Sequence, residues 1–226
     1  MGILQTKKEV KDEKTIDFHL ANSKNLLLIF TRNPELGKCK TRLAAKVGNN
    51  AALDIYKFLL DHTVSITKNL YATKTVYYSE EIWEKDIWDA TIFDKKLQQG
   101  SDLGQRMANA FKDGFEKGFE RIMIIGSDMY DLNLQDLEEA FLALEKDDFV
   151  VGPALDGGYY LLGMKKYKNE LFVDKDWGTE TVLTATLANL AQERLHLLKA
   201  KNDVDHYEDI KDIKAFEPYL KHMQND

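Results

Sequence analysis

The chain has a single cysteine, no long apolar run and no excess of positive charge. One cysteine, Cys39, cannot form an intramolecular disulfide, which fits a reducing cytoplasm. A transmembrane helix needs about 20 consecutive apolar residues, and the sequence contains no such run. The net charge is -7, which argues against the broad basic face of a general nucleic-acid binder. We therefore expect a cytoplasmic protein with no membrane insertion and no nucleic-acid partner.

Several familiar catalytic motifs are also missing. No histidine has zinc-site spacing with cysteine, and no Gly-x-Ser-x-Gly elbow of an α/β-hydrolase is present. A P-loop closing at Gly37-Lys38 would need an opening glycine where Arg32 stands, and Ser or Thr where Cys39 stands. The dinucleotide fingerprint is absent after the first predicted strand. Any phosphate site must therefore be built differently.

Apolar runs and amphipathic stretches alternate along the chain, which is typical of an α/β protein with a mostly parallel, Rossmann-like sheet and helices on both faces. The pattern predicts strands at 25–31, 74–79, 92–98, 121–126, 148–153, 159–164 and 195–198. It predicts helices at 50–70, 101–119, 134–145 and 179–191, a short one within 80–90, and one or two within 207–219. We expect a flexible N-terminal extension, 1–24, and one domain, 25–226. In such sheets ligands bind beyond the carboxyl ends of the strands.

The loop after the first strand carries four cations in an acidic protein. They are Arg32, Lys38, Lys40 and Arg42, and Gly37 among them permits close backbone approach. Lysine offers a point charge and arginine a forked donor for phosphate oxygens. The pattern indicates a phosphate-binding loop; the alternative is a solvated turn between a strand and a helix.

Acidic residues follow two later strands. Asp128 comes directly after the apolar run 121–126, and Asp203 and Asp205 follow the last short strand. Carboxylates at this edge of the sheet suit Mg²⁺ or Mn²⁺ that bridges to phosphates. The alternative for each is a helix cap, although Asp131 is the more natural cap for the helix near residue 134.

Two glycine-containing segments are candidates for the acceptor side. Asp156 precedes Gly157 and Gly158, a tight turn before a strand that begins with Tyr159. Asp156 could bind an acceptor or act as its base, whereas a plain turn is the alternative. The second segment contains Trp177, Thr179 and Glu180. Here Trp177 could stack on a sugar or base or lie in the core, Thr179 could cap a helix, and Glu180 is a second candidate base.

Taken in order, these segments resemble a bacterial family of glycosyltransferase-like proteins named for association with radical-SAM and selenium-related genes. The motifs span Asn25 to Ile210. They are Thr31-Arg32-x-Pro34, Gly37-Lys38-x-Lys40-Thr41-Arg42-Leu43, Asp102-Leu103-Gly104-Gln105-Arg106-Met107, Gly126-Ser127-Asp128, Gly152-Pro153, Asp156-Gly157-Gly158-Tyr159-Tyr160-Leu161, Trp177-x-Thr179 and Asp203-Val204-Asp205. The chain departs from the family at Met129-Tyr130-Asp131, where a proline is common, and at His206-Tyr207, where Thr-Pro is usual.

The resemblance implies a GT-A fold of the nucleotide-diphospho-sugar transferase type, similar also to small guanylyl- and cytidylyltransferases. It implies that the four loop cations hold nucleotide phosphates and that Asp128 binds the metal. It further implies that Asp205, or less readily Asp203, shares this metal, and that Asp102 and Arg106 contribute to the nucleotide pocket. Gly157, Gly158, Tyr159, Trp177 and Thr179 are the expected acceptor-binding residues.

Three functions fit this pattern. The first is a metal-dependent transferase that uses a nucleotide-sugar donor and a small-molecule acceptor. The second is a nucleotidyltransferase that joins a nucleoside triphosphate to a small phosphate or cofactor precursor. The third, of another class, is a nucleotide-binding module without catalysis, which the altered residues beside Asp128 and Asp205 motivate. The oligomeric state stays open.

Overall fold

The computed structural model describes residues 23–224, so the expected N-terminal extension lies outside the described residues apart from its last two. The described strands are β1 (Asn25–Thr31), β2 (Thr73–Tyr78), β3 (Asp94–Leu97), β4 (Arg121–Gly126), β5 (Phe149–Pro153), β6 (Tyr159–Met164) and β7 (Leu195–Leu197). The α-helices are α1 (Thr41–Val47), α2 (Asn49–Thr67), α3 (Leu103–Glu116), α4 (Leu134–Lys146), α5 (Val182–Asn189) and α6 (Glu217–Leu220). Short 3-10 turns lie at Asn169–Leu171, Tyr207–Asp209, Lys214–Phe216 and Lys221–Gln224.

The strands form one sheet in the order β3-β2-β1-β4-β6-β5-β7. Strands β3, β2, β1 and β4 pair in parallel, β6 runs antiparallel between β4 and β5, and β7 pairs in parallel with β5. The predicted α/β class with a mostly parallel sheet is therefore confirmed. Because β1 and β4 are parallel neighbours, the residues that follow them emerge at the same edge of the sheet.

Strand β1 is buried on both faces, which explains its continuous apolar run. Leu27 and Ile29 pack against α2 and α4, whereas Leu26 and Leu28 pack against α3 on the opposite face. A third apolar cluster joins α1 and α2 to the C-terminal turns through Phe216. The helices thus cover both faces of the sheet and leave its carboxyl edge for the loops.

Some local predictions were wrong. The segment 80–90 is irregular rather than helical, because Trp88 is buried against Phe93 and Asp86 is bound by Tyr78 and Lys95. The helical region that was predicted from residue 50 is preceded by a separate helix, α1, and Gly48 breaks the two with a φ of 83°.

The cap of α4 also differs from the expectation. Asn133, not Asp131, caps the helix, since its side chain accepts from the amide of Asp136 and the Asp136 carboxylate accepts from the amide of Asn133. None of the helices within residues 23–224 has the length and apolar character that a bilayer crossing requires.

Candidate active site

A cleft of about 660 Å³ opens at the carboxyl ends of β1 and β4. The structure brings together there all eight residues that the sequence pointed to for nucleotide and metal. They are Arg32, Lys38, Lys40, Arg42, Asp102, Arg106, Asp128 and Asp205. Their separation in the chain is large, so the parallel pairing of β1 with β4 is what unites the basic loop with the first acid. Their roles in binding stay predictions.

Lys40 is the inner cation of this cleft. Its Nζ donates to Oδ2 of Asp128 at 2.8 Å, and only 6% of its side chain is exposed. Burial would lower the pKa of Lys40, but the Asp128 carboxylate outweighs it and the pKa lies above its ordinary value. Lys40 also adopts the left-handed region, with φ 48°, a conformation rare for a side chain other than glycine. A charged ammonium is thus fixed at the base of the loop.

The other loop cations differ in how they are held. The Arg42 guanidinium donates to Oδ2 of Asp205 at 2.6 Å, and Nζ of Lys38 donates to Glu35 at 2.7 Å. The guanidinium of Arg32 has no hydrogen-bond or ion-pair partner among residues 23–224. Its charge is therefore available to an anion in the cleft.

Helix α3 adds one acid and one cation from the opposite rim. Asp102 caps the helix, since its Oδ1 accepts from the amide of Gln105 at 2.9 Å. This bond, with another from the Ser101 hydroxyl, holds the pKa of Asp102 below its usual range. Nε of Arg106 donates to the carbonyl of Gly100 at 3.1 Å. Asp102 therefore has the structural role of a cap in addition to lining the cleft.

A buried cluster of hydroxyl groups lies beneath the basic loop, and the sequence did not reveal it. Ser127 Oγ donates to Thr31 Oγ1 at 3.0 Å and lies 3.2 Å from the Tyr56 hydroxyl. The Tyr56 hydroxyl accepts from the amide of Arg32 at 2.9 Å. These bonds tie α2 to the ends of β1 and β4 and fix where the loop begins. Thr31 and Ser127 each stand in a motif at a strand end and so carried a sequence signal, whereas Tyr56 carried none.

The last acidic turn presents two aspartates with different surroundings. Arg42 neutralises Asp205, whereas Asp203 is half-buried near the carboxylates of Asp156 and Asp128. Burial and then the repulsion from Asp156 raise the pKa of Asp203 to about 6, although Lys40 opposes the shift. Asp203, unlike Asp205, has no ion-pair partner among residues 23–224.

Asp209 holds this acidic turn in place. Its Oδ2 accepts from the backbone amides of Asp205 at 3.0 Å and His206 at 2.6 Å, and its Oδ1 accepts from Nδ2 of Asn202 at 2.8 Å. Burial alone would raise the pKa of Asp209, but these hydrogen bonds outweigh it and hold the pKa below its usual range. His206 stands where the family that the sequence resembles usually has threonine. The turn at His206 is nevertheless held in place by these hydrogen bonds.

The described residues include no group of three or more His, Cys, Asp or Glu side chains that could hold a metal by itself. The donors that are present are hard oxygens. Asp128 has 39% of its side chain exposed, and its Oδ1 has no hydrogen-bond partner within 23–224. Mg²⁺ is commonly bound by one or two carboxylates together with substrate phosphates and water. The donor set therefore fits a divalent cation only if a phosphate supplies the remaining ligands.

A smaller cavity of about 260 Å³ adjoins the cleft, and both cavities are lined by Phe30, Leu103 and Gly126. Four of the five expected acceptor-binding residues line it, together with one candidate base. They are Gly158, Tyr159, Trp177, Thr179 and Asp156. The predicted turn is present, since Oδ1 of Asp156 accepts from the amide of Gly158 at 2.8 Å.

Gly157 and Glu180 lie outside both cavities, in a separate depression beside Thr181. Gly157 has a φ of 89°, and a Cβ there would lie 2.3 Å from the carbonyl oxygen of Glu180. Gly157 thus permits close packing of two loops, and of the two candidate bases the structure brings Asp156, not Glu180, to the smaller cavity.

The architecture is that of the nucleotide-diphospho-sugar transferase fold. A crystal structure of a candidate nucleotide-diphospho-sugar transferase from Desulfovibrio desulfuricans G20 matches with a TM-score of 0.78 and 28% identity, over 90% of this chain and 96% of that one. A cytidylyltransferase from Leptospira borgpetersenii serovar Hardjo-bovis (strain JB197) matches with a TM-score of 0.52 and 15% identity, over 90% and 95% of the two chains.

A 4-diphosphocytidyl-2C-methyl-D-erythritol synthase from Anaerococcus prevotii DSM 20548 matches with a TM-score of 0.54 and 8% identity, over 92% and 99% of the two chains. At these low identities the two cytidylyl-enzyme matches show the fold alone. The chain belongs to the bacterial family described as "Uncharacterized protein conserved in bacteria (DUF2064)", whose model matches residues 63–179. No curated protein matches the chain significantly.

Proposed function

We propose that this chain is a transferase that takes a glycosyl group from a nucleotide-sugar and passes it to a small-molecule acceptor, with Mg²⁺ or Mn²⁺ bound beside the diphosphate. The observation that carries the proposal is the convergence of Lys40 and Arg42 with Asp128 and Asp205 in one cleft. Such an arrangement supplies the cations that attract a diphosphate and, at Asp128, a carboxylate that could hold a metal.

The charge of the cleft is compatible with a diphosphate or a triphosphate donor. Five cationic and four acidic side chains line it, so its formal charge is one positive. A nucleotide-sugar carries about two negative charges at neutral pH, whereas a nucleoside triphosphate carries about four, and each unbalanced charge in a partly desolvated site is costly. With one divalent cation, the total would be one positive charge for the first ligand and one negative charge for the second, so the charge of the lining side chains does not separate the two donors.

Asp128 and Asp203 are the carboxylates that we propose for the metal. Asp205 was the expected partner of Asp128, and it binds Arg42. Asp128 binds Lys40 through Oδ2 only and keeps its Oδ1 without a partner within 23–224, and Asp203 lies near Asp128 and Asp156 with no ion pair among the same residues. When bound, the metal supplies charge stabilisation to the leaving diphosphate. Lys40 and Arg32 supply the same stabilisation from the protein side.

Asp156 is the proposed base. In the transfer, the acceptor hydroxyl oxygen forms a bond to the anomeric carbon of the donor, and the bond from that carbon to the diphosphate oxygen breaks. The diphosphate leaves with the electron pair, and the hydroxyl proton passes to the Asp156 carboxylate. Oδ2 of Asp156 suits this role, because Oδ1 accepts from Gly158 in the turn and Oδ2 has no hydrogen-bond partner within the part of the chain that the structure describes.

A thermal-shift panel of nucleoside diphosphates and nucleotide-sugars, each with and without Mn²⁺, tests the proposal. A ligand at about 100 times its Kd stabilises a protein by about 2.7 kcal/mol, which for a chain of this size shifts Tm by roughly 5–10 °C. Asp128→Asn should abolish the part of the shift that depends on Mn²⁺. Asp131→Asn is the matched control, since Asp131 is an exposed acid three residues further along that lines neither cavity.

Two other outcomes would replace the proposal. Stabilisation by a nucleoside triphosphate alone, with pyrophosphate released in the presence of a phosphorylated acceptor, would identify a nucleotidyltransferase. Nucleotide binding that Asp128→Asn leaves unchanged, together with no turnover of any donor, would identify a binding module without catalysis.

A further inference from the structure

The smaller cavity beside the cleft has mostly apolar walls, and this limits the kind of acceptor that it can bind. Its walls are formed largely by Phe30, Met107, Tyr159, Trp177 and Val182. No lysine or arginine of the described chain lines it, although the adjoining cleft is lined by five such residues. The two halves of the site therefore differ sharply in the ligands that they can stabilise.

The polar groups of this cavity are few and mostly satisfied. Thr179 Oγ1 donates to the carbonyl of Asp176 at 2.7 Å and lies 2.8 Å from the Thr181 hydroxyl. The Tyr159 hydroxyl reaches only the sulfur of Met107, at 3.7 Å. Asp156 is the one ionisable carboxylate, and its Oδ2 has no hydrogen-bond partner within 23–224. The cavity thus offers one carboxylate oxygen that can accept a hydrogen bond beside an apolar wall.

From these features we infer that the acceptor is a neutral alcohol with an aromatic or branched aliphatic body, seated against Trp177 with its hydroxyl at Asp156. This inference rests on the proposed function, because the cavity opens into the cleft that would hold the donor. It names the class of acceptor for that same site.

Two other acceptor classes fit this cavity poorly. A sugar would bring several hydroxyl groups against apolar walls, and each one left without a hydrogen bond opposes binding. A sugar phosphate would bring negative charge next to Asp156 with no cation on the walls to balance it. The volume of about 260 Å³ also matches a small body of about one ring rather than an extended oligosaccharide.

The Trp177 side chain packs closely against helix α3. A Cβ added to Gly104 would lie 2.6 Å from Nε1 of Trp177 and 2.3 Å from the carbonyl oxygen of Phe172. The indole therefore packs directly on the backbone of the first turn of α3. Tyr159, on the neighbouring wall, is half-buried beside Met107.

The test measures binding of 4-methylphenol and 3-methyl-1-butanol to the full chain by saturation-transfer NMR, with glucose and glycerol 3-phosphate as comparison probes. We expect both alcohols to bind at least tenfold more tightly than either comparison probe. Trp177→Leu should weaken the binding of 4-methylphenol about tenfold. Met107→Gln, a near-isosteric change that places an amide in the same wall, should also weaken the binding of 4-methylphenol. This second variant provides the test if Trp177→Leu does not fold.

Parallel thermal shifts with nucleoside diphosphate and Mn²⁺ separate this inference from the proposed function. Nucleotide binding without alcohol binding, or alcohol binding that both wall variants leave unchanged, overturns the inference and leaves the donor proposal intact. Alcohol binding at Trp177 without nucleotide binding supports the chemistry assigned to the cavity and overturns the donor proposal. Tighter binding of glucose or glycerol 3-phosphate than of the alcohols overturns the inference directly.

Discussion

Removing either partner of the Lys40–Asp128 pair should destabilise the protein by different amounts. The ammonium is almost wholly buried, whereas 39% of the Asp128 side chain is exposed. Lys40→Met removes the buried charge and keeps the apolar stem, and water can still solvate the carboxylate that remains. We expect the free energy of unfolding to fall by about 1 kcal/mol, as for the loss of a solvent-exposed ion pair.

The opposite substitution, at Asp128, leaves the buried Lys40 ammonium without its ion-pair partner. Asp128→Asn strands an ammonium whose nearest anions are then Asp205 and Asp203, which act on it only at longer range. Breaking a fully buried pair costs about 3–5 kcal/mol, and the partial compensation from these two acids reduces our expectation to about 2–3 kcal/mol.

Urea denaturation of both single variants and the double variant measures these free energies of unfolding. The double variant should be close to Lys40→Met alone, since no stranded charge remains, and the cycle should give a coupling of about 2–3 kcal/mol. A Lys40→Met variant that is as unstable as Asp128→Asn, or more so, would refute the reasoning, because it would mean that the buried charge is not the costly partner.

Three further changes test the turns around the site. The pKa of Asp209 lies below its usual range, so its ionised form stabilises the fold above about pH 4 and this stability is lost as the pH falls through the lowered pKa; Asp209→Asn should therefore be less stable than the parent at pH 7, and the difference should shrink as the pH falls below about 4, measured by urea denaturation. Gly157→Ala should cost about 1–3 kcal/mol in the same assay, against about 1 kcal/mol for Gly118→Ala, which has a similar φ but open space around it. In steady-state assays with an active donor, Glu180→Gln should retain most of the turnover, whereas Asp156→Asn should lower it by about 10² or more.

The fold class was predictable because the strongest signals were local. The run in β1 is apolar throughout, which only a strand buried on both faces requires. Asp102 was expected at the start of a helix, and it caps α3 as the spacing indicated. The helix prediction failed at the segment 80–90. Trp88 does not belong to a helical or alternating apolar pattern there, and it is buried through contacts such as the one with Phe93, just before β3.

The meeting of Lys40 with Asp128 could be anticipated from topology alone. The two residues are 88 positions apart, yet each follows one of two strands that lie side by side and run the same way. Tyr56 could not be anticipated, since it is one of several apolar positions on α2, and only the tertiary structure selects it to hold the Arg32 backbone.

The sequence could not decide whether Asp203 or Asp205 is the better candidate metal ligand, for a related reason. Both follow β7, a strand at the far edge of the sheet, so strand order alone does not bring them to the cleft. Pairing continues past β7, because the amide of Lys201 donates to the carbonyl of Pro153 at 3.1 Å and the amide of Leu155 donates to the carbonyl of Lys201 at 3.0 Å. These two bonds fasten the acidic turn to the turn that carries Asp156. The same contact that brings Asp203 towards the donor cleft therefore sets the position of the proposed base, so a change in one turn should alter both donor and acceptor binding.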